Sequence, residues 1–207
     1  MGGMTEPVPP RVYLETERLT LRYLTEDDVE NLHALDADPE VMRYLNNGET
    51  HSRDDIVERV LPHYLEHHTQ YGDQYGFFAA IERSSGRFIG WFHFRPVRTR
   101  PDEIELGYRL MRAAWGHGYA TEGSRALLAR GFTEYDVETV VADTLVDNIR
   151  SRRVMEGLGM RLRSEFRLDA DEFPDWDADR RRGVEYVLTR DAWEAAARRR
   201  DRCGGRS

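Results

Sequence analysis

Seven segments of the chain carry the apolar and polar alternation, or the short apolar runs, that are typical of β-strands. The predicted strands are Leu19–Tyr23, Phe77–Glu82, Phe88–Val97, Ile104–Met111, Thr139–Val146, Met160–Leu168 and Val184–Thr189. The second to fourth follow one another closely, and Ser84-Ser85-Gly86 supplies a turn between the first two of these. We therefore expect an antiparallel meander in the middle of the chain.

Capping residues and wider apolar spacing predict helices around this meander. The predicted helices run from Thr25 to about Leu35, from Asp38 to about Tyr44, from Arg53 to about Tyr71, from the corner Trp115–Gly118 to about Phe132, from Asn148 to Gly157 and from Asp191 to Arg200. Pro62 strains the third of them. The order of elements predicts a mixed sheet covered on both faces, in an α/β or layered α+β fold.

The composition bounds the class of protein. The chain has 207 residues, of which 40% are apolar, 11% aromatic and 33% charged, which suits one domain over residues 13–200 with flexible ends at 1–12 and 201–207. No apolar run approaches the roughly 20 residues that cross a bilayer, and we expect a soluble, cytoplasmic protein. The net charge of −8 argues against nucleic acid or membrane partners. The single Cys203 excludes an internal disulfide and a cysteine metal site.

The corner Trp115-Gly116-His117-Gly118 joins a predicted strand to a predicted helix. The first turn of a helix has unpaired N–H groups and the positive end of the helix dipole, and glycine lets an anion approach the backbone. The corner lacks the Gly-Lys-Ser/Thr of a phosphate loop, and Thr121 replaces the last glycine or alanine of the dinucleotide fingerprint. Taken alone, it predicts either a tight connection or an anion site.

Several runs together resemble the GNAT acetyltransferase superfamily, and most closely its branch of ribosomal-protein N-terminal acetyltransferases. They are Glu105–Leu110, Trp115–Glu122, Asn148-x-x-Ser151 and Gly157–Met160, with Leu14–Arg22 and Asp38–Val41 as further matches to that branch. The resemblance extends from about Leu14 to Thr189. It implies a mixed sheet whose central strands splay apart, with acetyl-CoA in the gap, an amine as the acetyl acceptor and no metal.

The resemblance and the helix-terminus argument assign the same role to the corner, which is to bind the CoA pyrophosphate through main-chain N–H groups. The cofactor-binding residues predicted in this way are Leu110 and Met111 for the pantetheine arm and Trp115, Gly116, His117, Gly118, Tyr119, Ala120 and Thr121 for the pyrophosphate. A free N–H near Leu110 would also polarise the thioester carbonyl. Trp115 departs from the family, which usually has Gln or Arg there. Arg112 and Arg153 are either further phosphate ligands or solvated charges.

An amine attacks a thioester only when neutral, whereas lysine titrates near about 10.4 and an α-amine near about 7.7–8.0, so a base is expected. Glu105 is the candidate, because it shares a strand face with Gly107 and Arg109 and the resemblance puts this strand beside the thioester. Glu103 on the same face is the alternative base. The other interpretation of Glu105 is an exposed residue paired with Arg109.

The CoA thiolate needs a proton donor when it leaves. Many family members use a tyrosine, but the matching position here is Met155, so Ser151 one helical turn earlier is the candidate acid. In the related branch Asn148 and Ser151 also contact the pantetheine arm. Asn148 equally fits a helix N-cap, with Ser151 reinforcing the first turn.

The sequence also offers candidate residues for binding the acetyl acceptor and two alternative functions. Tyr44, Leu45 and Asn46 and the acidic segment Asp169–Asp179 are candidates for binding a protein N-terminus or a small-molecule amine, and a homodimer is one expected assembly. A non-catalytic CoA-sensing module would keep the same fold. The pattern His63-x-x-Glu66-His67 matches an inverted zinc protease, but no third ligand follows it.

Overall fold

The computed structural model describes residues 10–45, 48–171 and 173–204, with side chains as far as residue 199. Within these ranges, eight strands form one sheet in the order β1-β2-β3-β4-β5-β6-β8-β7. The strands are β1 (Val12–Glu15), β2 (Leu19–Tyr23), β3 (Gly76–Glu82), β4 (Phe88–Val97), β5 (Arg100–Leu110), β6 (Thr139–Leu145), β7 (Arg161–Arg167) and β8 (Arg182–Thr189). Neighbouring strands are antiparallel except β5 and β6, so the sheet is mixed, as predicted.

Helices cover both faces of the sheet. They are α1 (Val29–Asp36), α2 (Pro39–Met42), α3 (Arg53–Asp55), α4 (Leu61–Tyr71), α5 (Tyr119–Glu134), α6 (Ile149–Gly157) and α7 (Arg190–Gly204). A wide turn at Ile56–Val60 joins α3 to α4, and in it the N–H of Leu61 donates to the carbonyl of Ile56. This wider turn accommodates Pro62, which has no N–H, so the predicted helix from Arg53 to Tyr71 forms without a break.

Each face of the sheet has its own apolar layer. On one face Leu127 of α5 packs with Phe92 of β4 in the larger core. On the other face Tyr64 of α4 stacks on Phe77 of β3 with ring centroids 4.0 Å apart. Because side chains alternate along a strand, even-numbered residues of β5 face α5 and odd-numbered residues face the α1–α4 side.

The sheet opens between its two parallel strands. β5 and β6 pair only at Glu103 with Thr139, Ile104 with Val140, and Glu105 with Val141. Beyond these pairs β5 stays on β4 as far as Leu110, and β6 stays on β8 as far as Leu145. The facing edges of β5 and β6 therefore part after Glu105 and leave the central gap that the resemblance implied.

Every predicted strand and helix is present, and the differences lie at element ends. β1 was not predicted, because four residues are too few to show a periodicity; its pairing with β2 and the burial of Tyr13 stabilise it. β5 begins at Arg100 rather than Ile104, and α7 continues to Gly204 rather than ending near Arg200. Among the residues described, no helix is long and apolar enough to cross a membrane.

Candidate active site

The edge of β5 that faces the gap presents main-chain groups of alternate residues. The N–H of Met111 donates to the carbonyl of Ile89 at 2.9 Å, and its carbonyl accepts from Ala114 at 2.8 Å. Since bonding directions alternate in an antiparallel ladder, Tyr108 and Leu110 direct their main-chain groups away from β4 and into the gap. Both main-chain groups of Met111 are thus engaged, and the N–H available for a thioester belongs to Leu110 or Tyr108.

Trp115 links the corner to the end of β5. Its indole N–H donates to the carbonyl of Leu110 at 2.8 Å, and the Arg150 guanidinium lies 4.7 Å from the centre of its ring. The residue that departs from the family pattern therefore keeps a polar role, because it fixes the strand edge and the corner relative to each other.

The corner leads directly into the first turn of α5. Gly116 and Gly118 have φ angles of 79° and 81°, in the left-handed region that side chains disfavour. The first helical bond runs from Glu122 N–H to the Gly118 carbonyl, and among the described residues no acceptor is recorded for the N–H groups of Tyr119, Ala120 and Thr121. A Cβ at Gly116 would have no atom within 4 Å, so the space beside this glycine is open. These features fit a phosphate group.

Arg18 holds the corner from the other side, which the sequence did not reveal. Its guanidinium donates to the carbonyl of His117 at 2.9 Å and pairs with Glu122 at 2.6 Å. The hydroxyl of Thr16 donates to the same carboxylate at 2.6 Å. Since Arg18 and His117 are far apart in the chain, only the folding of β2 beside α5 brings them together, and no local pattern could have indicated the contact.

Ser151 and Asn148 lie at the start of α6. Asn148 is the N-cap, since its Oδ1 accepts from the N–H of Ser151 at 3.3 Å and its Nδ2 donates to Thr144 at 3.0 Å. The Ser151 hydroxyl is 3.0 Å from the hydroxyl of Tyr108, a contact that crosses the gap. Burial raises the pKa of Tyr108 to about 12, so the phenol keeps its proton at pH 7. Met155 is buried in the core.

The two candidate phosphate arginines lie in different surroundings. Arg112 follows β5 and is 3.4 Å from the carboxylate of Asp38, the N-cap of α2, with most of its side chain exposed. Arg153 is exposed on α6. Phosphate binding by either arginine stays a prediction.

Glu105 shares one face of β5 with Gly107 and Arg109, as the alternation predicted, and that face is the α1–α4 side. Its carboxylate is 2.7 Å from the Arg95 guanidinium and 3.4 Å from Nε2 of His93, and it is not paired with Arg109. Burial alone would raise the pKa of Glu105, but His93 and Arg95 outweigh burial and lower it to about 2. Gly107 makes room for this arrangement, because a Cβ there would lie 2.5 Å from the His93 ring.

The neighbouring charges of β5 are paired elsewhere. Glu103, the alternative base, lies 2.8 Å from Arg163 and 3.0 Å from Arg100. Arg109 pairs at 2.6 Å with Asp36, which is fully buried. The interpretation of Glu105 as the partner of Arg109 is therefore wrong, since Arg109 is held by α1.

The histidines of the zinc-protease pattern pack against the sheet. His63 and His67 do lie on one face of α4, with ring centroids 4.9 Å apart, but that face covers Phe77. Burial is the main cause that lowers the pKa of His67 to about 4. Within the described residues, no group of three or more metal-binding side chains comes together.

A cavity of about 460 Å³ brings the two predicted acceptor segments together. Its lining comprises Arg43 and Tyr44 after α2, Leu145 and Asp147 after β6, and Asp177, Asp179 and Arg180 of the acidic segment. The Tyr44 hydroxyl donates to the carbonyl of Asp147 at 3.4 Å, which links the first group to the second. Leu45 adjoins this lining, whereas Asn46 and Glu172 lie outside the described residues.

Comparison with known proteins identifies the family. The domain described as "Acetyltransferase (GNAT) domain" matches residues 18–161, which is more than half of the chain. The chain belongs to the GNAT acetyltransferase family. GNAT acetyltransferases bind acetyl-CoA and an amine substrate, and both the unpaired amides of α5 and the open edge of β5 fit the former.

Individual GNAT relatives differ in what they acetylate. An FsC-acetyl coenzyme A-N(2)-transacetylase from Aspergillus fumigatus is 31% identical over 189 residues, which cover 87% of this chain and 77% of the relative. The structure of RimL, a ribosomal L7/L12 α-N-protein acetyltransferase in complex with coenzyme A, superposes with a TM-score of 0.72 at 18% identity, covering 88% of this chain and 99% of RimL. The structure of a spermidine N-acetyltransferase from Vibrio cholerae superposes with a TM-score of 0.67 at 16% identity, covering 86% of this chain and 99% of the relative. These two structures share the fold, and the comparison does not single out a branch.

Proposed function

We propose that this protein transfers the acetyl group of acetyl-CoA to a primary amine by direct attack of the neutral amine on the thioester. The carrying observation is that three unpaired N–H groups at the start of α5, those of Tyr119, Ala120 and Thr121, lie next to the free edge of β5. Acetyl-CoA has a diphosphate for the first site and an amide-bearing arm for the second, and it supplies the activated acetyl group.

The residues around the gap suit the remaining steps. The amide of Leu110 or Tyr108 can donate to the thioester oxygen as charge develops on it. The Ser151 hydroxyl can then pass a proton to the departing sulfur, with Tyr108 at 3.0 Å to replace it. These two hydroxyl groups, in contact with each other, can supply the proton that the Met155 side chain cannot.

Glu105 meets one requirement of a base and misses another. Its pKa of about 2 keeps it ionised at neutral pH, on the face where the acceptor would approach. However, the strength of a general base follows its pKa, and a carboxylate this acidic accepts a proton poorly from an ammonium group. Replacement by Gln should lower turnover without weakening acetyl-CoA binding, because Glu105 is remote from the corner.

The acceptor we propose is a cationic amine, either a protein N-terminus, as in the ribosomal-protein branch, or a small molecule. The name of the Aspergillus relative, an N(2)-transacetylase, agrees with a nitrogen atom as the acceptor. The cavity beside Tyr44 can admit it, since Asp147, Asp177 and Asp179 contribute three carboxylates and only two arginines offset them. The cytoplasmic location and the homodimer stay predictions.

Thiol release from acetyl-CoA, measured against N-terminal peptides, polyamines and aminoglycosides, tests the proposal. We expect acetylation of at least one class, together with micromolar or tighter CoA binding by calorimetry. CoA binding without turnover on any amine would favour the sensing module. The absence of CoA binding would contradict both functions.

A further inference from the structure

A second carboxylate lies on the same face as Glu105, just beyond the point where the strands part. Parallel pairing puts Glu105 and Val141 side by side. Asp143 is two positions after Val141, so it projects from the same face, whereas Val140 and Ala142 pack in the core on the α5 side. Across β6, its partner in β8 is Glu185.

Asp143 differs from the other carboxylates of this face in its contacts. Glu105 pairs with Arg95, Glu103 with Arg163 at 2.8 Å, and Glu185 with both Arg100 and Arg163. For Asp143, the part of the chain that the structure describes provides neither a hydrogen bond nor an ion pair. Its side chain is exposed at the opening. It is therefore the carboxylate with unoccupied oxygen atoms at the side of the gap.

We propose that Asp143 is the general base that removes the proton from the acceptor ammonium. This inference rests on the proposed function. One N–H proton moves to the Asp143 carboxylate, and the amine lone pair that this frees forms the new C–N bond. The C–S bond breaks, sulfur takes its electron pair, and a second amine proton reaches it through Ser151. Asp143 then releases its proton to water.

The charges around Asp143 suit this role. Although part of the side chain reaches solvent, the protein atoms packed around it desolvate the carboxylate, and this is the largest effect. With the negative charges of Glu105 and Glu185 it raises the pKa of Asp143 to about 6, against the opposing effect of Arg95 and Arg100. An α-ammonium group titrates near about 7.7–8.0. The pKa of Asp143 lies about two units below that of the ammonium, whereas the pKa of Glu105 lies about six units below it, so Asp143 is the stronger base. Glu105 then acts as a fixed negative charge that attracts the ammonium.

The two histidines on this face add no positive charge to that of Arg95 at pH 7. His93 of β4 and His67 of α4 are buried, and no ring nitrogen of either has a hydrogen-bond partner. Burial lowers the pKa of both rings, to about 4 for His67, so both are neutral at pH 7.

The test compares Asp143→Asn with the wild type, using an acceptor whose amine pKa is above 8. The wild type should show kcat/KM rising with pH through about 6. Asp143→Asn should remove this rise and lower kcat by about 100-fold, the lower end of what general bases contribute, with CoA affinity unchanged by calorimetry. The matched control Asp102→Asn, which removes the same charge from the exposed start of β5, should retain wild-type kinetics.

Two further variants separate Asp143 from its neighbours. Glu185→Gln removes a negative charge that raises the pKa of Asp143, so the rise in kcat/KM should move to lower pH. Glu105→Gln should lower kcat but keep a rise. The inference is overturned if Asp143→Asn stays within threefold of wild type or keeps the rise, or if Glu105→Gln alone abolishes it. A wild type that binds CoA but acetylates no amine overturns the proposed function as well.

Discussion

Two regions meet at the gap but are built from different parts of the chain: the corner with the first turn of α5 (Trp115–Thr121), and the carboxylate face (Glu105, Asp143 and Glu185). The corner and the first turn of α5 follow one another in the chain and offer main-chain N–H groups, whose partial charge does not depend on residue identity. The carboxylate face collects side chains from separate strands, and each one's chemistry depends on its neighbours. Glu105 and Asp143 show this, since the pKa of one falls to about 2 and that of the other rises to about 6.

The largest effect should come from breaking a buried charge pair beside the carboxylate face. Arg109→Met removes the guanidinium from the fully buried Asp36, whose other ion-pair partner among the described residues is His51 at 2.8 Å. Removing one partner of a buried pair costs about 3–5 kcal/mol, so urea denaturation should show a loss of that size. Arg59→Met, which breaks an exposed pair with Asp55, should lower the free energy of unfolding far less, because solvent screens exposed pairs. Equal losses would contradict the contrast between buried and exposed charges.

The pH dependence of stability should identify Glu105. Its folded pKa of about 2 lies below the ordinary value of 4.5, so its contribution to stability is present above pH 4.5 and is lost as the pH falls towards 2. The difference in unfolding free energy between wild type and Glu105→Gln should shrink over this range, by about 3 kcal/mol in total. Denaturant titrations between pH 7 and pH 2 measure it. A constant difference would mean that Glu105 titrates normally.

A side chain at the corner should affect binding more than folding. Gly118→Val puts a β-branched residue at a φ of 81° and displaces main-chain donors, each worth about 1.5–3 kcal/mol to a charged ligand. CoA affinity should fall about 30-fold or more by calorimetry. Gly86→Val introduces the same strain at a φ of 68° in the β3–β4 turn, and its CoA affinity should not change. Wild-type affinity in Gly118→Val would contradict the assignment of the corner.

The smallest effect should come from the contact that joins the two regions. Trp115→Phe removes the N–H that donates to the Leu110 carbonyl and keeps most of the ring that lies against Arg150. A single hydrogen bond contributes about 0.5–1.5 kcal/mol, so CoA affinity should fall about two- to tenfold. Trp193→Phe, on the closing helix, is the control. A larger loss would show that Trp115 contacts CoA directly.

The difference between the two regions also explains how far the sequence could be interpreted. The corner was predicted because strand, glycines and helix are adjacent in the chain, and the capping role of Asn148 followed from local spacing in the same way. The shared strand face of Glu105, Gly107 and Arg109 followed from alternation. Its partner did not, because alternation gives a face but not which residue of β4 lies opposite. That residue is Arg95, whereas Arg109 lies on β5 itself and pairs with Asp36.

The amino-acid sequence by itself determined the order of the strands after β1 and of the helices, the glycine corner between β5 and α5, and the family resemblance, because each depends on residues close together in the chain. The tertiary structure alone decided that Arg18 holds the corner, that Tyr108 meets Ser151 across the gap and that Asp143 lies next to Glu105 and Glu185. The physical reason is the separation along the chain over which each effect acts. Backbone geometry and helix dipoles act within a few residues, whereas the pKa of a carboxylate depends on charges and burial that distant strands supply.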